Sequence, residues 1–236
     1  MKPFKFKQFT IHQDRCAMKV GTDGVLLGAW ASIEAQPNSI LDVGSGTGLI
    51  ALQMAQRSSA TTIDAVEIDD NAFEQCVENF EASPWADRLF CFHADFRHLV
   101  DEFDEKYDLI LSNPPFYSED VSSGDSSRDA SRQNASLPFE VLLAGVSKRL
   151  SSNGSFATII PFKEEQRFLA LAAQYGLFPN RITHVKGNPD AETKRSLIQF
   201  SLLEMTPETD TLIIETDRHQ YTKAYKELTK VFYLKM

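Results

Sequence analysis

The sequence predicts a doubly wound α/β fold, a mostly parallel sheet of seven strands with helices on both faces. Three observations lead there. From Ser39 onward, short apolar runs alternate with stretches of helical periodicity. A glycine-rich turn, DVGSGTG at 42–48, joins the first of those runs to the first helical stretch. At 236 residues the chain suits one large α/β domain, and no stretch reads as a linker or as a repeat of solenoid or propeller period.

The elements follow in order. SILDVG is a strand, and Thr47 to Arg57, with Leu49, Leu52, Met54 and Ala55 on one face, is a helix. TTIDAVEI is the second strand, followed by a helix over Asp70 to Glu81 whose first turn is acidic. LFCFHA and YDLILS are the third and fourth strands, and Pro138 to Leu150 is helical. SFATIIP is the fifth strand, Glu164 to Tyr175 is a helix stopped by Gly176, and strands near RITHVKG and SLIQFSLLE complete the seven.

Two regions break this rhythm. Residues 116–137 are polar with almost no apolar anchors, far longer than the ~4–6 residues of an ordinary connection, which predicts a lid or substrate loop. The C-terminal HQYTKAYKELTKVFYLKM places Tyr221, Tyr225, Leu228 and Phe232 on one helical face and Lys223, Lys226 and Lys230 on another. The aromatic stripe predicts docking; the basic stripe fits either a solvated face or RNA.

Composition narrows the function classes. Acidic residues outnumber basic ones by 33 to 24, so a net charge of −9 excludes coating of nucleic acid by bulk electrostatics and demands a local basic patch if the substrate is a nucleic acid. Cys16, Cys76 and Cys91 form no CxxC pair, and their odd, scattered count fits a reducing compartment. The five histidines lack ligand spacing, so no metal is expected. No apolar run approaches ~18 residues and MKPFKFKQF lacks a signal-peptide core, so a cytoplasmic protein without membrane contact is expected.

The glycine turn points to a nucleotide-like ligand. Gly44, Gly46 and Gly48 permit close approach to backbone N–H groups at a helix start, and Glu67, nineteen residues after Gly48, ends the next strand where a carboxylate can accept from both hydroxyls of a ribose. The spacing is GxGxG with Asp42 in front. That negative charge disfavours a pyrophosphate but can meet an ammonium group, directly or through water. S-adenosylmethionine has the ammonium and the ribose and no phosphate. Asp95 in HADF can accept from its adenine amino group while Ile68 and Phe96 cover the ring faces.

SNPPFY at 112–117 ends the fourth strand. Pro114 and Pro115 cannot continue a sheet, and Asn113, preceding a proline, is held extended with its carboxamide rigidly aimed. A plain strand stop would use the same residues. With the glycine turn upstream, however, the chain resembles the class I methyltransferases, and NPPF resembles the motif of those that methylate an adenine N6, a guanine N2 or a glutamine amide. DRCAMKVGTDGVLLGAWA at 14–31, NPPFY and the terminal FYLKM together resemble the bacterial tRNA1(Val) adenine-37 N6-methyltransferase family over essentially the whole chain.

That resemblance implies a single Rossmann-like methyltransferase domain, residues 1–236. Residues 1–35 form an extension lining the cofactor and substrate pocket, and 36–236 form the core with its C-terminal helix. It implies S-adenosylmethionine as methyl donor and the anticodon stem-loop of a tRNA as partner, with ribosomal RNA guanine N2 or a protein glutamine as the alternative substrate. The implied catalytic group is Asn113, Pro114, Pro115 and Phe116, with Asn113 also touching the cofactor. The side-chain oxygen of Asn113 and the carbonyl of Pro114 would accept both amino hydrogens of the base, and Phe116 and Tyr117 would stack on it. Gly21, Thr22 and Asp23 are carried over as cofactor contacts, Thr22 toward the methionine carboxylate, although a helix cap before GVLLGAW would also place a threonine there. Lys19, Arg128, Arg132, Lys194 and Arg195 are the expected phosphate contacts. Cys16 reads as a small buried residue and not a nucleophile.

Overall fold

The structure is a computed structural model that describes residues 2–115 and 137–235. The expected substrate loop lies outside these residues apart from Leu137, and Phe116, Tyr117, Arg128 and Arg132 lie outside them too.

An N-terminal hairpin of β1 (Phe4–Lys5) and β2 (Thr10–Ile11) precedes helix α1 (Thr22–Trp30). The core then alternates β3 (Ser39–Val43), α2 (Leu49–Arg57), β4 (Thr62–Glu67), α3 (Asp70–Glu81), β5 (Leu89–His93), α4 (Phe96–Glu102) and β6 (Tyr107–Ser112). After the segment that is not described come α5 (Phe139–Arg149), β7 (Leu150–Pro161), α6 (Glu165–Gln174), β8 (Phe178–Lys186), β9 (Thr193–Ser201) and β10 (Glu208–Ile213). A small hairpin, β11 (Glu215–Asp217) with β12 (Gln220–Tyr221), leads into α7 (Lys223–Thr229).

Among the described residues the central sheet has eight strands in the order β10-β8-β9-β7-β6-β3-β4-β5, one more than the seven expected from the sequence. Only β9 runs antiparallel to its neighbours. The extra strand, β10, pairs in parallel with β8 at the edge, and four of its six residues are exposed. Without an apolar run, ETDTLI carries no strand signature that periodicity could detect. Helix α4 was also not expected; it is held at its start by Asp95, whose side chain accepts from the Arg97 N–H at 2.8 Å. Helix α2 begins at Leu49 and not at Thr47, because Gly48, at φ 76°, turns the chain before the helix can start.

Alternation along β3 divides the core between the two sheet faces. Ile40 joins the cluster of α1 and α2, while Leu41 and Val43 join the cluster of α4, α5 and α6. The chain moves from β3 outward to β4 and β5, then returns to β6 on the other side of β3. The carboxyl ends of β3 and β6 stay paired through Val43 and Ser112, but the helices that follow them, α2 and α5, pack on opposite faces of the sheet, at the point where an open α/β sheet offers a crevice. None of the described helices is long and apolar enough to cross a membrane.

Candidate active site

A cavity opens at that crevice, over the carboxyl ends of β3, β4 and β6 and the turn after β5. The turn after β3 forms its floor. Gly44 and Gly46 adopt φ of 72° and 53°, conformations that tolerate no other residue comfortably, and a Cβ on either would meet no atom within 4 Å. Both line the cavity, so their bare backbones face its interior. Gly48 serves a different end: a Cβ there would come within 2.5 Å of the Phe80 ring and 2.8 Å of Cys76 Sγ. It lets α2 pack on α3 and does not reach the cavity wall, unlike the expectation that all three glycines face the cofactor.

Glu67, at the end of β4, lines the cavity and is already engaged by backbone. Its Oε2 accepts from Gly46 N–H at 2.8 Å, and its Oε1 accepts from Ile68 and Asp69 N–H at 2.8 and 2.9 Å. A carboxylate offers about four lone-pair sites, so capacity remains for a hydroxyl donor. Ile68 is 45% exposed at the cavity edge, while Phe96 is buried against Gly145 with its edge on the cavity wall. Asp95 also lines the cavity, but its carboxylate is clasped by the Arg97 guanidinium, with Nε at 3.0 Å, which holds it below the usual carboxylate range. An adenine amino group there would share Asp95 with Arg97.

Asp42 does not reach the cavity wall. It is fully buried; Oδ2 accepts from Ala51 N–H at 3.1 Å and Oδ1 has no partner among the described residues. Burial pushes its carboxyl up to about 7, against the hydrogen bond from Ala51 and with a smaller contribution from the charge of Glu67. Instead of lining the cavity to meet a ligand ammonium directly, Asp42 anchors the first turn of α2.

At the end of β6, Ser112 Oγ donates to Val43 O at 2.9 Å and reinforces the pairing of the two strands. Asn113, Pro114 and Pro115 then form one wall of the cavity, with Pro114 buried. Asn113 Oδ1 is shielded from solvent and has no hydrogen-bond partner among the described residues. A buried acceptor left without a donor costs free energy, on the order of 1–3 kcal/mol.

The N-terminal segment contributes differently than expected. Cys16, Ala17 and Met18 line the cavity, and Met18 is 51% exposed there. Gly21, Thr22 and Asp23 do not line it. Thr22 opens α1 without a side-chain cap, and Asp23 takes Arg195 Nε at 2.8 Å. Arg195 is thus committed to an ion pair that ties β9 to α1. Lys19 Nζ donates to the carbonyl of Gln13 at 2.6 Å and to that of Cys16, which braces the loop holding Cys16–Met18. Of the expected phosphate contacts within the described residues, Lys194 is exposed on β9 with no ion pair. The DRCAMK stretch was part of the N-terminal signature, but no local pattern shows which of its residues face a cavity. Cys16 is buried and its thiol is pushed up to about 11, chiefly by burial, so it is no ready nucleophile. Among the described residues no group of His, Cys, Asp and Glu is arranged to hold a metal ion.

Comparison with known proteins adds the following. The family model for the methyltransferase small domain matches residues 25–160. A tRNA1(Val) (adenine(37)-N6)-methyltransferase of Christiangramia forsetii is 57% identical over 237 residues, covering 100% of this chain and 99% of the relative. One of Flavobacterium johnsoniae is 57% identical over 99% of this chain and 100% of its own, and one of Bacteroides fragilis is 46% identical over 99% and 98%. Among solved structures, a predicted O-methyltransferase from Agrobacterium tumefaciens superposes with a TM-score of 0.69 at 19% identity, covering 89% of this chain and 96% of that one. A putative RNA methyltransferase from Pyrococcus horikoshii superposes with 0.55 at 18%, covering 75% and 79%; at these identities both speak to the fold.

Proposed function

The chain belongs to the tRNA1(Val) (adenine(37)-N6)-methyltransferase family, and from that premise we propose that it transfers a methyl group from S-adenosylmethionine to the exocyclic amino nitrogen of the adenine 3′ of the anticodon in tRNA1(Val). The observation that carries the chemistry is the partnerless Asn113 Oδ1 in the cavity wall. It is an acceptor waiting for an N–H, in a cavity whose other end presents bare glycine backbone and a strand-end carboxylate.

The residues present fit the donor molecule. Gly44 and Gly46 leave room for its amino-acid part, Glu67 keeps a lone pair for the ribose, and Ile68 and Phe96 offer apolar contact to the adenine ring. S-adenosylmethionine, when bound, supplies a sulfonium-activated methyl group. The chain's own contribution is to the other reactant. An adenine amino nitrogen is a poor nucleophile because its lone pair is delocalised into the ring. Asn113 Oδ1 and the carbonyl of Pro114 accept its two hydrogens, which favours a more pyramidal nitrogen with its lone pair available. The diproline backbone, which has no N–H to offer, keeps both acceptors in place. Phe116 and Tyr117 stack on the base swung out of its loop. No covalent enzyme intermediate is needed, in keeping with the inert Cys16 thiol.

In this reading residues 1–236 act as one domain, with residues 1–35 serving as a pocket-lining extension whose working part is Cys16–Met18. A tRNA substrate places the protein in the cytoplasm. Lys194, Arg128 and Arg132 remain the proposed phosphate contacts. The test is to incubate the protein with methyl-labelled donor and unmodified bulk tRNA, digest the product and identify the labelled nucleoside and its host. N6-methyladenosine at position 37 of tRNA1(Val) is expected. Labelled N2-methylguanosine, or label in a protein glutamine, would replace this substrate with another that presents two amino hydrogens.

A further inference from the structure

Two lysine-rich segments from opposite ends of the sequence meet on one side of the molecule. Phe6 forms an antiparallel bridge with Tyr233, the Lys7 backbone N–H donates to Phe232 O at 2.8 Å, and Lys7 Nζ donates to Lys230 O at 2.6 Å. The rings of Phe4 and Phe6 lie 6.2 and 5.9 Å from that of Tyr233. The aromatic residues between the lysines thereby form an apolar weld, with Tyr225 and Phe232 buried beneath it. The lysines are left outside.

The resulting charge is lopsided. Residues 2–7 and 223–235 contain seven lysines, all exposed, and one acid, Glu227, in a chain whose net charge is −9. Glu227 pairs with Lys230, and Lys7 is held on a carbonyl. Lys2, Lys5, Lys223, Lys226 and Lys235 make no ion pair among the described residues. A polyanion approaching an otherwise acidic protein is attracted where such a cluster lies and repelled elsewhere.

The position of the cluster shows which part of an RNA would lie on it. Helix α7 begins at the carboxyl end of β10, where Thr222 Oγ1 donates to Ile213 O at 2.6 Å. Because β10, β8, β7 and β6 run the same way, Lys223 stands on the edge of the sheet that carries Asn113. The other end of the cluster is far below that edge. Gln56 Nε2, in the last turn of α2, donates to Val231 O at 2.9 Å, and α2 starts at Leu49, just after the glycine turn and seven residues earlier. At 1.5 Å per residue that end lies about 10 Å from the turn. The lysine stripe thus starts on the same edge as the active site but four strands across the sheet, about 19 Å from β6 at about 4.8 Å per strand, and runs down the side of the domain, beyond the reach of a single flipped nucleotide.

We propose that this composite surface, built jointly by the N-terminal hairpin and α7, binds the sugar-phosphate backbone of the tRNA outside the anticodon stem-loop. The inference rests on the tRNA reading above and adds a second point of attachment. It makes the whole tRNA, and not the stem-loop alone, the preferred ligand.

The test is direct binding by the full-length protein of intact unmodified tRNA1(Val) and of its isolated anticodon stem-loop, at several salt concentrations, with wild type and a Lys5→Glu/Lys223→Glu/Lys226→Glu variant. Wild type is expected to hold the intact tRNA roughly tenfold more tightly than the stem-loop. The variant is expected to hold both alike, with the slope of log affinity against log salt for the intact tRNA lowered by about one for each phosphate that no longer meets a lysine. Unchanged affinity for S-adenosylmethionine and an unchanged unfolding temperature establish that the variant is folded, and the corresponding triple Lys→Arg variant should behave as wild type. Equal binding of both RNAs by wild type, or a variant that retains the preference, overturns the proposal. Absence of methyl transfer to any tRNA by wild type would instead sink the functional reading itself.

Discussion

Glu67 Oε2 accepts a hydrogen bond from the backbone N–H of Gly46 at 2.8 Å, so the carboxylate that ends β4 holds in shape the turn that follows β3. Its other oxygen caps the N–H groups of Ile68 and Asp69. The side chain expected to hold a ribose therefore also shapes the floor on which the rest of the ligand lies, and the two tasks fall together when it is removed.

Glu67→Ala leaves three backbone donors without their acceptor and removes the ribose partner. Hydrogen bonds to a charged group contribute about 1.5–3 kcal/mol each, so the dissociation constant for S-adenosylmethionine is expected to rise at least tenfold, with Glu67→Gln intermediate. Calorimetric titration checks this, and an affinity equal to wild type would show that Glu67 is not a ligand contact.

Asn113→Ala removes an acceptor that acts on the amino group and leaves the glycine turn untouched. Single-turnover methyl transfer is expected to slow by roughly 10²- to 10³-fold, the scale for loss of one transition-state hydrogen bond. Affinity for S-adenosylmethionine should change little. Turnover at the wild-type rate would take Asn113 out of the mechanism.

Gly44→Ala and Gly48→Ala separate binding from packing. Both positions have positive φ, but only the Cβ at Gly48 drives into Phe80 and Cys76. Gly48→Ala is expected to lower stability by several kcal/mol, combining backbone strain of about 1–3 kcal/mol with overpacking of similar size. Gly44→Ala should carry the strain alone and lose ligand affinity out of proportion to it. Chemical denaturation paired with ligand titration reads both, and equal destabilisation by the two changes would contradict this division.

Asp42 predicts a pH dependence of stability. Its buried carboxyl is pushed up to about 7, whereas an aspartate in an unfolded chain titrates near 3.9. Between those values the native state keeps a proton that the unfolded chain has released, so stability falls as pH rises from about 4 to about 7. Asp42→Asn cannot ionise. In thermal unfolding of the ligand-free protein, the variant should gain on wild type steadily across that window and hold a constant advantage above it. Parallel profiles would mean that Asp42 titrates normally.

The division between what the chain announces and what folding adds follows the range of the interactions involved. Strand and helix alternation, the turn at 42–48, Glu67 at a strand end and the diproline stop after Ser112 are local patterns, each imposed by neighbours in sequence through period, φ restriction or a missing N–H, and each was legible as such. The edge strand β10 was not, because its residues are solvated and its one requirement is a partner, β8, reached across the β8–β9 hairpin. Nor could sequence tell that Gly48 packs while Gly44 and Gly46 line the cavity, that Cys16–Met18 and not Gly21–Asp23 form the cavity wall, or that Arg195 is held by Asp23, 172 residues away. The meeting of the two lysine-rich ends belongs to the same kind. Such facts depend on which surfaces come within a few ångströms of one another, and only the packed chain sets those distances.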